Sequence, residues 1–294
     1  MRKIIFGTDW FTDCDDAVAL RLVCRYVRSK KIELLGIGIN ACIEDSVASL
    51  KGFLSAEGID GIPIGIDFDA VDYEGTPTYQ KRLANICPSV SNSDAEDAVR
   101  MYRRLLANAN DCVEIIEVGY PQILSELLKS SPDDISKKNG VELVSEKVSK
   151  FWLMAGKWDG DGEKEHNFCH NHRSRKAGKE FCELCPVGVT FLGWEIGYGV
   201  ITGGSLNEDD HLKKVLVDYG SENGRHSWDP MLTLLALIGD EKRAGYSTVS
   251  GKASVDESTG ANFFEKDING QHKFVVKMYE NDYYEQQINV LLQR

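Results

Sequence analysis

The sequence predicts an α/β protein with a mostly parallel, doubly wound sheet and helices on both faces. Short β-branched apolar runs recur along the chain, the mark of strands buried on both faces. Longer segments with apolar residues at helical spacing lie between them, and such alternation requires parallel crossovers. Polar residues gather just after several runs, where open α/β sheets bind their ligands.

In order, strands are expected at IIF (4–6), ELLGIGI (33–39), IPIGI (62–66), VEIIEV (113–118), FWLMA (151–155) and VGVTFLG (187–193). The first helix, 15–31, puts Ala17, Leu20, Val23, Cys24 and Val27 on one face and ends in basic residues, which suit a helix C-terminus. Helices follow at 44–58, at 94–109 after a Ser-Asn-Ser-Asp cap region, and at 120–131, 174–185, 207–220 and 228–240. KFVVKM (273–278) is read as a late strand, and the chain as one domain, 1–294, with 241–294 as a C-terminal appendage.

The 294 residues suffice for a sizeable core, and 42% hydrophobic with 27% charged residues is a globular composition. A net charge of −12 argues against nucleic acid or an anionic membrane as partner. The eight cysteines are read as mostly reduced thiols, as in a cytoplasmic protein. No apolar run is long enough for a signal peptide or a membrane span.

The chemistry concentrates in GTDWFTDCDD, where Asp9, Asp13, Asp15 and Asp16 fall within eight residues behind the first strand. One reading makes Asp13 or Asp15 a helix cap and the other acids solvated. The cluster holds more acid than a cap requires, however, and oxygen-only sets suit a hard cation, Ca²⁺ or Mg²⁺. An Mg²⁺-dependent phosphatase of the haloacid dehalogenase type also opens with a strand and an acidic loop. It needs Asp-x-Asp directly after the strand, and here Trp10 and Phe11 follow Asp9.

The stretch KIIFGTDWFTDCDDAVAL resembles the amino-terminal signature of the inosine-uridine preferring nucleoside hydrolases. KEHNF (164–168), FWLMAGK (151–157), VGYPQILSEL (118–127), FLGWEIG (191–197) and SWDPMLTLLAL (227–237) resemble further segments in that family's order, over roughly residues 2–240. The resemblance implies a Rossmann-like fold and a Ca²⁺-dependent hydrolase of the ribonucleoside N-glycosidic bond. It implies Asp9 as both general base and metal ligand, with Asp16, Asp229 and the backbone carbonyl of Gln122 completing the metal set. It assigns Asp15, Asn40, Met154, Glu165 and Asn167 to the ribose. A homodimer or homotetramer acting on a small nucleoside is expected, and a non-catalytic nucleoside- or ribose-binding protein is the alternative.

Two departures matter. Gly7 stands where the family carries the first Asp of Asp-Thr-Asp, and Trp228 stands before Asp229 where many members carry the His that protonates the departing base. Trp228 matches the branch in which Trp stacks on a purine, leaving His226 as a reserve acid. Its alternative is a core aromatic. The segment 168–185, with Cys169, His170, His172, Cys182 and Cys185, fits no common zinc spacing and is read as helix cysteines with a polar loop.

Overall fold

The computed structural model describes residues 1–11, 13–73 and 75–293. Its strands are β1 (Arg2–Thr8), β2 (Ile32–Ile39), β3 (Ile64–Ile66), β4 (Glu96–Asp97), β5 (Val113–Glu117), β6 (Val148–Met154), β7 (Glu163–Lys164), β8 (Val189–Leu192), β9 (Ile201–Thr202), β10 (Arg225–His226), β11 (Tyr246–Val255), β12 (Ala261–Lys266) and β13 (His272–Lys277). Eleven of them form one sheet in the order β4-β3-β2-β1-β5-β6-β8-β13-β11-β12-β7, and β9 pairs with β10 separately. From β4 to β13 every pairing is parallel, whereas β11, β12 and β7 join antiparallel.

The doubly wound character follows from the period of two along each strand. Ile4 and Phe6 point into one apolar cluster and Ile5 into the other. Ile116 and Ile115 divide the same way, as do Trp152 and Phe151. Helices Asp15–Arg28, Ser46–Ala56, His211–Tyr219, Trp228–Ile238 and Asn281–Leu292 cover the first face. Helices Ala98–Asn108, Gln122–Lys129, Gly140–Lys147 and His172–Leu184 cover the second.

The residues after Tyr246 take part in the main sheet. β13 lies beside β8 in register His272↔Val189, and β11 and β12 continue outward from it. Tyr284, Ile288 and Leu292 of the last helix pack into the first core.

This winding locates the binding crevice. Successive strands run from β1 outward through β2, β3 and β4, and the chain then returns to the other side of β1 as β5. The switch therefore falls between β1 and β5, and their carboxyl ends open where such sheets take ligands. The two ends approach closely: a Cβ on Gly119 would lie 2.4 Å from the Asp9 nitrogen and 2.5 Å from Asn40 Oδ1. Only glycine fits there. No described helix is long and apolar enough to cross a membrane.

Candidate active site

A cavity of about 240 Å³ opens at this switch point, lined by Asp9, Asp13, Asp15, Asp16, Val118, Met154, Glu165, His166, Asn167, Trp194, Arg225, Trp228 and Asp229. Of the residues assigned to the site from sequence, Asp9, Asp15, Asp16, Met154, Glu165, Asn167, Trp228 and Asp229 meet there.

Asn40 and Gln122 are buried but are not among its lining residues. Asn40 donates to Glu117 Oε1 at 2.8 Å and accepts from the Tyr120 nitrogen at 2.9 Å. Gln122 donates to the Asn40 carbonyl at 2.6 Å and to the Tyr73 hydroxyl at 2.7 Å. Both amides tie the ends of β2 and β5 together behind the cavity.

The acids sit at two helix starts. Asp15 and Asp16 open helix Asp15–Arg28, and Asp229 lies in the first turn of helix Trp228–Ile238. Two positive helix ends thus converge on the same carboxylates, each worth about 0.3–1 kcal/mol. One oxygen from each of Asp15, Asp16 and Asp229 lies within 4.8 Å of the others. Asp15 Oδ2 also accepts from the Asp229 nitrogen at 3.1 Å, Asp16 accepts from the Thr8 hydroxyl, and Asp9 Oδ1 accepts from the Phe11 nitrogen at 3.0 Å.

Asp15 therefore stands in the tightest oxygen set, where the resemblance gives it to the sugar. These bonds do not offset the burial. Desolvation raises the pKa of Asp9, Asp15, Asp16 and Asp229 well above the ordinary carboxylate range, and mutual repulsion adds to it. Buried carboxylates of this kind call for a cation. An oxygen-only donor set fits a hard divalent one. Among the described residues no other group of His, Cys, Asp or Glu is placed to hold a metal. Within 168–185, Cys182 and Cys185 are buried in the second core and Cys169 is partly exposed.

The acidic loop is wound around Trp10, whose φ of 53° is left-handed, a conformation costing a non-glycine residue about 1–3 kcal/mol. Burial of the indole offsets this cost. Its Nε1 donates to Ser49 Oγ at 2.9 Å, and its ring meets Phe53 and Tyr79 edge-on at 5.4 and 5.8 Å.

Asp13 accepts from the Arg225 guanidinium at 2.9 Å, and that group lies 5.4 Å from the Trp228 ring and 5.3 Å from the Tyr219 ring. Asp13 thus supports the loop and the aromatic wall together. Trp228 is half-buried, lies nearly parallel to Trp194 at 6.3 Å and donates to its carbonyl at 2.8 Å.

Opposite lie the polar grips. Glu165 accepts from the nitrogens of Gly156 and Asn167, each at 2.9 Å, and burial still pushes its pKa to about 7. Asn167 Nδ2 donates to the carbonyls of Met154 and Val118 at 2.8 and 3.0 Å, pinning the ends of β6 and β5. His226 does not line the cavity, and its Nδ1 accepts from the Gly199 nitrogen at 2.9 Å.

Sequence reasoning passed over His166, Trp194 and Arg225. His166 was visible between Glu165 and Asn167. Arg225 carried no signal, since its pairing with Asp13 joins distant segments.

No protein-family profile matches this chain, and a search of curated proteins returned no match. Solved structures match it in fold. The chain superposes on an inosine-uridine preferring nucleoside hydrolase from Bacillus anthracis with a TM-score of 0.71 at 14% identity, covering 100% of this chain and 99% of that one. It is similar also to the type III effector protein XopQ complexed with adenosine diphosphate ribose, and to the effector protein XOO4466. Each has a TM-score of 0.69 at 14% identity, covering 99% of this chain and 93% of the other. The chain thus has the nucleoside hydrolase fold, a large and mostly parallel central sheet flanked by helices.

Proposed function

We propose that the protein is a Ca²⁺-dependent N-ribosyl hydrolase that cleaves ribonucleosides, purine nucleosides foremost, to ribose and free base. The observation that carries this is the buried set Asp15, Asp16 and Asp229, with Asp9 beside it, at the floor of a cavity whose wall is Trp194 and Trp228.

These acids, with the Gln122 backbone carbonyl as the resemblance implies, would hold the cation. When bound, it supplies the charge that keeps them ionised and lowers the pKa of the attacking water. Asp9 takes the proton of that water. Asn167 spends both N–H groups on backbone and leaves Oδ1 to accept from a ribose hydroxyl, while Glu165 accepts from another. Asp15 reaches the sugar from the floor, and Met154 packs beneath it. Asn40 acts from behind, by holding the β5 end in place.

Breaking the glycosidic bond builds positive charge on the ribose. A carboxylate-lined pocket stabilises that charge more than the neutral ground state, which is the differential binding that catalysis requires. Trp228 stacks on the base. Because the sugar is gripped through its hydroxyls, deoxyribonucleosides should be poor substrates.

The test is release of free ribose from inosine, guanosine, adenosine and uridine, with calcium and with chelator. Calcium-dependent release, greatest from purine nucleosides, is expected. No ribose from any of the four, with tight inosine binding intact, would overturn the hydrolase reading.

A second reading, a non-catalytic binder of ribose-containing ligands, is favoured by the likeness to a protein solved with adenosine diphosphate ribose. Calorimetry with that ligand, under conditions where no ribose is released, discriminates the two. Association into a homodimer or homotetramer in the cytoplasm is part of the proposal, and sedimentation tests the former.

A further inference from the structure

The hydrolysis just proposed lacks a donor for the departing base, because the Trp228 indole N–H is spent on the Trp194 carbonyl and His226 lies outside the cavity. An imidazole does line the cavity. His166 begins the short helix His166–Cys169, between the two residues that grip the sugar, and its ring is open to the cavity.

Its other face is crowded. Nε2 lies 2.9 Å from the Tyr120 hydroxyl, and the His170 ring lies 4.6 Å away. Desolvation by these surroundings, then repulsion from His170, lowers its pKa to about 4, so the ring is neutral at pH 7. The hydroxyl and Nε2 can pair in either sense; in the tautomer where the hydroxyl donates, the ring proton resides on Nδ1 and is available to the cavity. Asp13 is close enough to influence the His166 charge, and its partner Arg225 lies beside Trp228. His166 lines the same cavity as Trp194, Trp228 and the acidic floor.

We propose that His166, oriented by Tyr120, is the hydrogen-bond donor that stabilises the nucleobase as it leaves. This rests on the hydrolase reading above. The bond from C1′ to the base nitrogen breaks with its electron pair going to the base. The water oxygen joins C1′, and the water proton passes to a carboxylate of the site. The base bears the electron pair while hydrogen-bonded to Nδ1–H, and takes a proton from solvent on release. A neutral imidazole suits this, because its donor is fixed in place before charge develops.

The experiment compares inosine, whose base needs this help, with p-nitrophenyl ribofuranoside, whose phenolate leaves without it. His166→Phe should lower kcat/KM on inosine about 100-fold more than on the nitrophenyl riboside. His166→Gln, which retains an N–H donor, should recover part of the difference. Calcium binding by calorimetry should be the same in both variants as in the parent, showing an intact floor. Equal losses on the two substrates, or none on inosine, would overturn the role of His166 while leaving the hydrolase reading standing. Should the parent protein cleave neither riboside, both readings fall.

Discussion

Glu117 occupies the space that a side chain on Gly7 would need. A Cβ on Gly7 would lie 2.1 Å from Glu117 Oε2, and that carboxylate accepts from Asn40 Nδ2 at 2.8 Å and from the Gly119 nitrogen at 3.0 Å. The acid missing from β1 thus has a counterpart on the neighbouring strand, aimed at the same junction. Gly7→Ala alone is expected to cost about 1–3 kcal/mol through overpacking. Glu117→Ala alone should cost about 1–3 kcal/mol by leaving two buried donors without an acceptor. In the double variant the first penalty should vanish, a coupling of roughly 0.5–3 kcal/mol in denaturant melts. Strict additivity would show that the two residues do not compete for this space.

The buried acids tie stability to pH and metal. Unfolded carboxylates ionise near pH 4, but in the native state burial raises Glu165 to about 7 and Glu117 to about 8, and raises the four aspartates as well. His166 and His272, which burial lowers to about 4, work the other way below about pH 6.5, but the six raised acids outnumber them, and the native state binds more protons across that window. The associated stability is full below about pH 4 and is lost as pH rises through the folded values. Glu57, which Arg21, Arg28 and His211 hold at about 2 against its burial, titrates below the window and does not mask the effect. Metal-free protein should melt at a lower temperature at pH 8 than at pH 5. Calcium fixed at a hundredfold excess over its Kd at pH 8 should restore about 2.7 kcal/mol there, and the same concentration should restore less at pH 5, where protonated acids bind it more weakly. Melting curves with chelator and with calcium decide it.

Single substitutions separate metal ligands from sugar contacts. Asp16→Asn and Asp229→Asn should each weaken calcium binding at least about tenfold, or about 1.4 kcal/mol. Asp9→Ala should lose activity and calcium together. Asp15→Asn discriminates: in the oxygen set it occupies here, it should lose calcium affinity as well as ribose binding. Unchanged calcium binding in a titration of that variant would return Asp15 to the sugar alone.

Arg225→Ala should release Asp13 and slacken the wall formed by Trp228. The pair is only partly buried, so the stability loss should be about 1 kcal/mol. The larger effect expected is a severalfold higher KM for purine nucleosides with kcat less affected, because the ring that stacks on the base loses its brace. Steady-state kinetics on inosine measures it.

The parallel strands were legible because burial on both faces writes them as unbroken apolar runs. β11 was not. Its sequence YSTVSGKASV is half exposed, and it pairs antiparallel in a region that no apolar run announces. Helix Gly140–Lys147 escaped notice for a similar reason, with only a narrow buried stripe of Leu143 and Val144 behind its first residue. At the site, the acids were legible because no fold needs so many together. Asn40 and Gln122 were legible as polar residues at strand ends, but whether such a residue faces a ligand or braces a neighbouring strand depends on its tertiary partner. The significance of His166 depends on Tyr120, and sequence spacing does not reveal that contact.

An eleven-stranded sheet has two margins, and each here is a strand of two residues, Glu96–Asp97 on one side and Glu163–Lys164 on the other. All four side chains are charged. Unpaired strand edges recruit other chains, and brevity and charge are the means by which proteins prevent it. The outermost pairings of so large a sheet are thus short and charged, and on the β12 side the edge beyond Asn262 continues as Phe263–Lys266, which itself ends in Glu265 and Lys266.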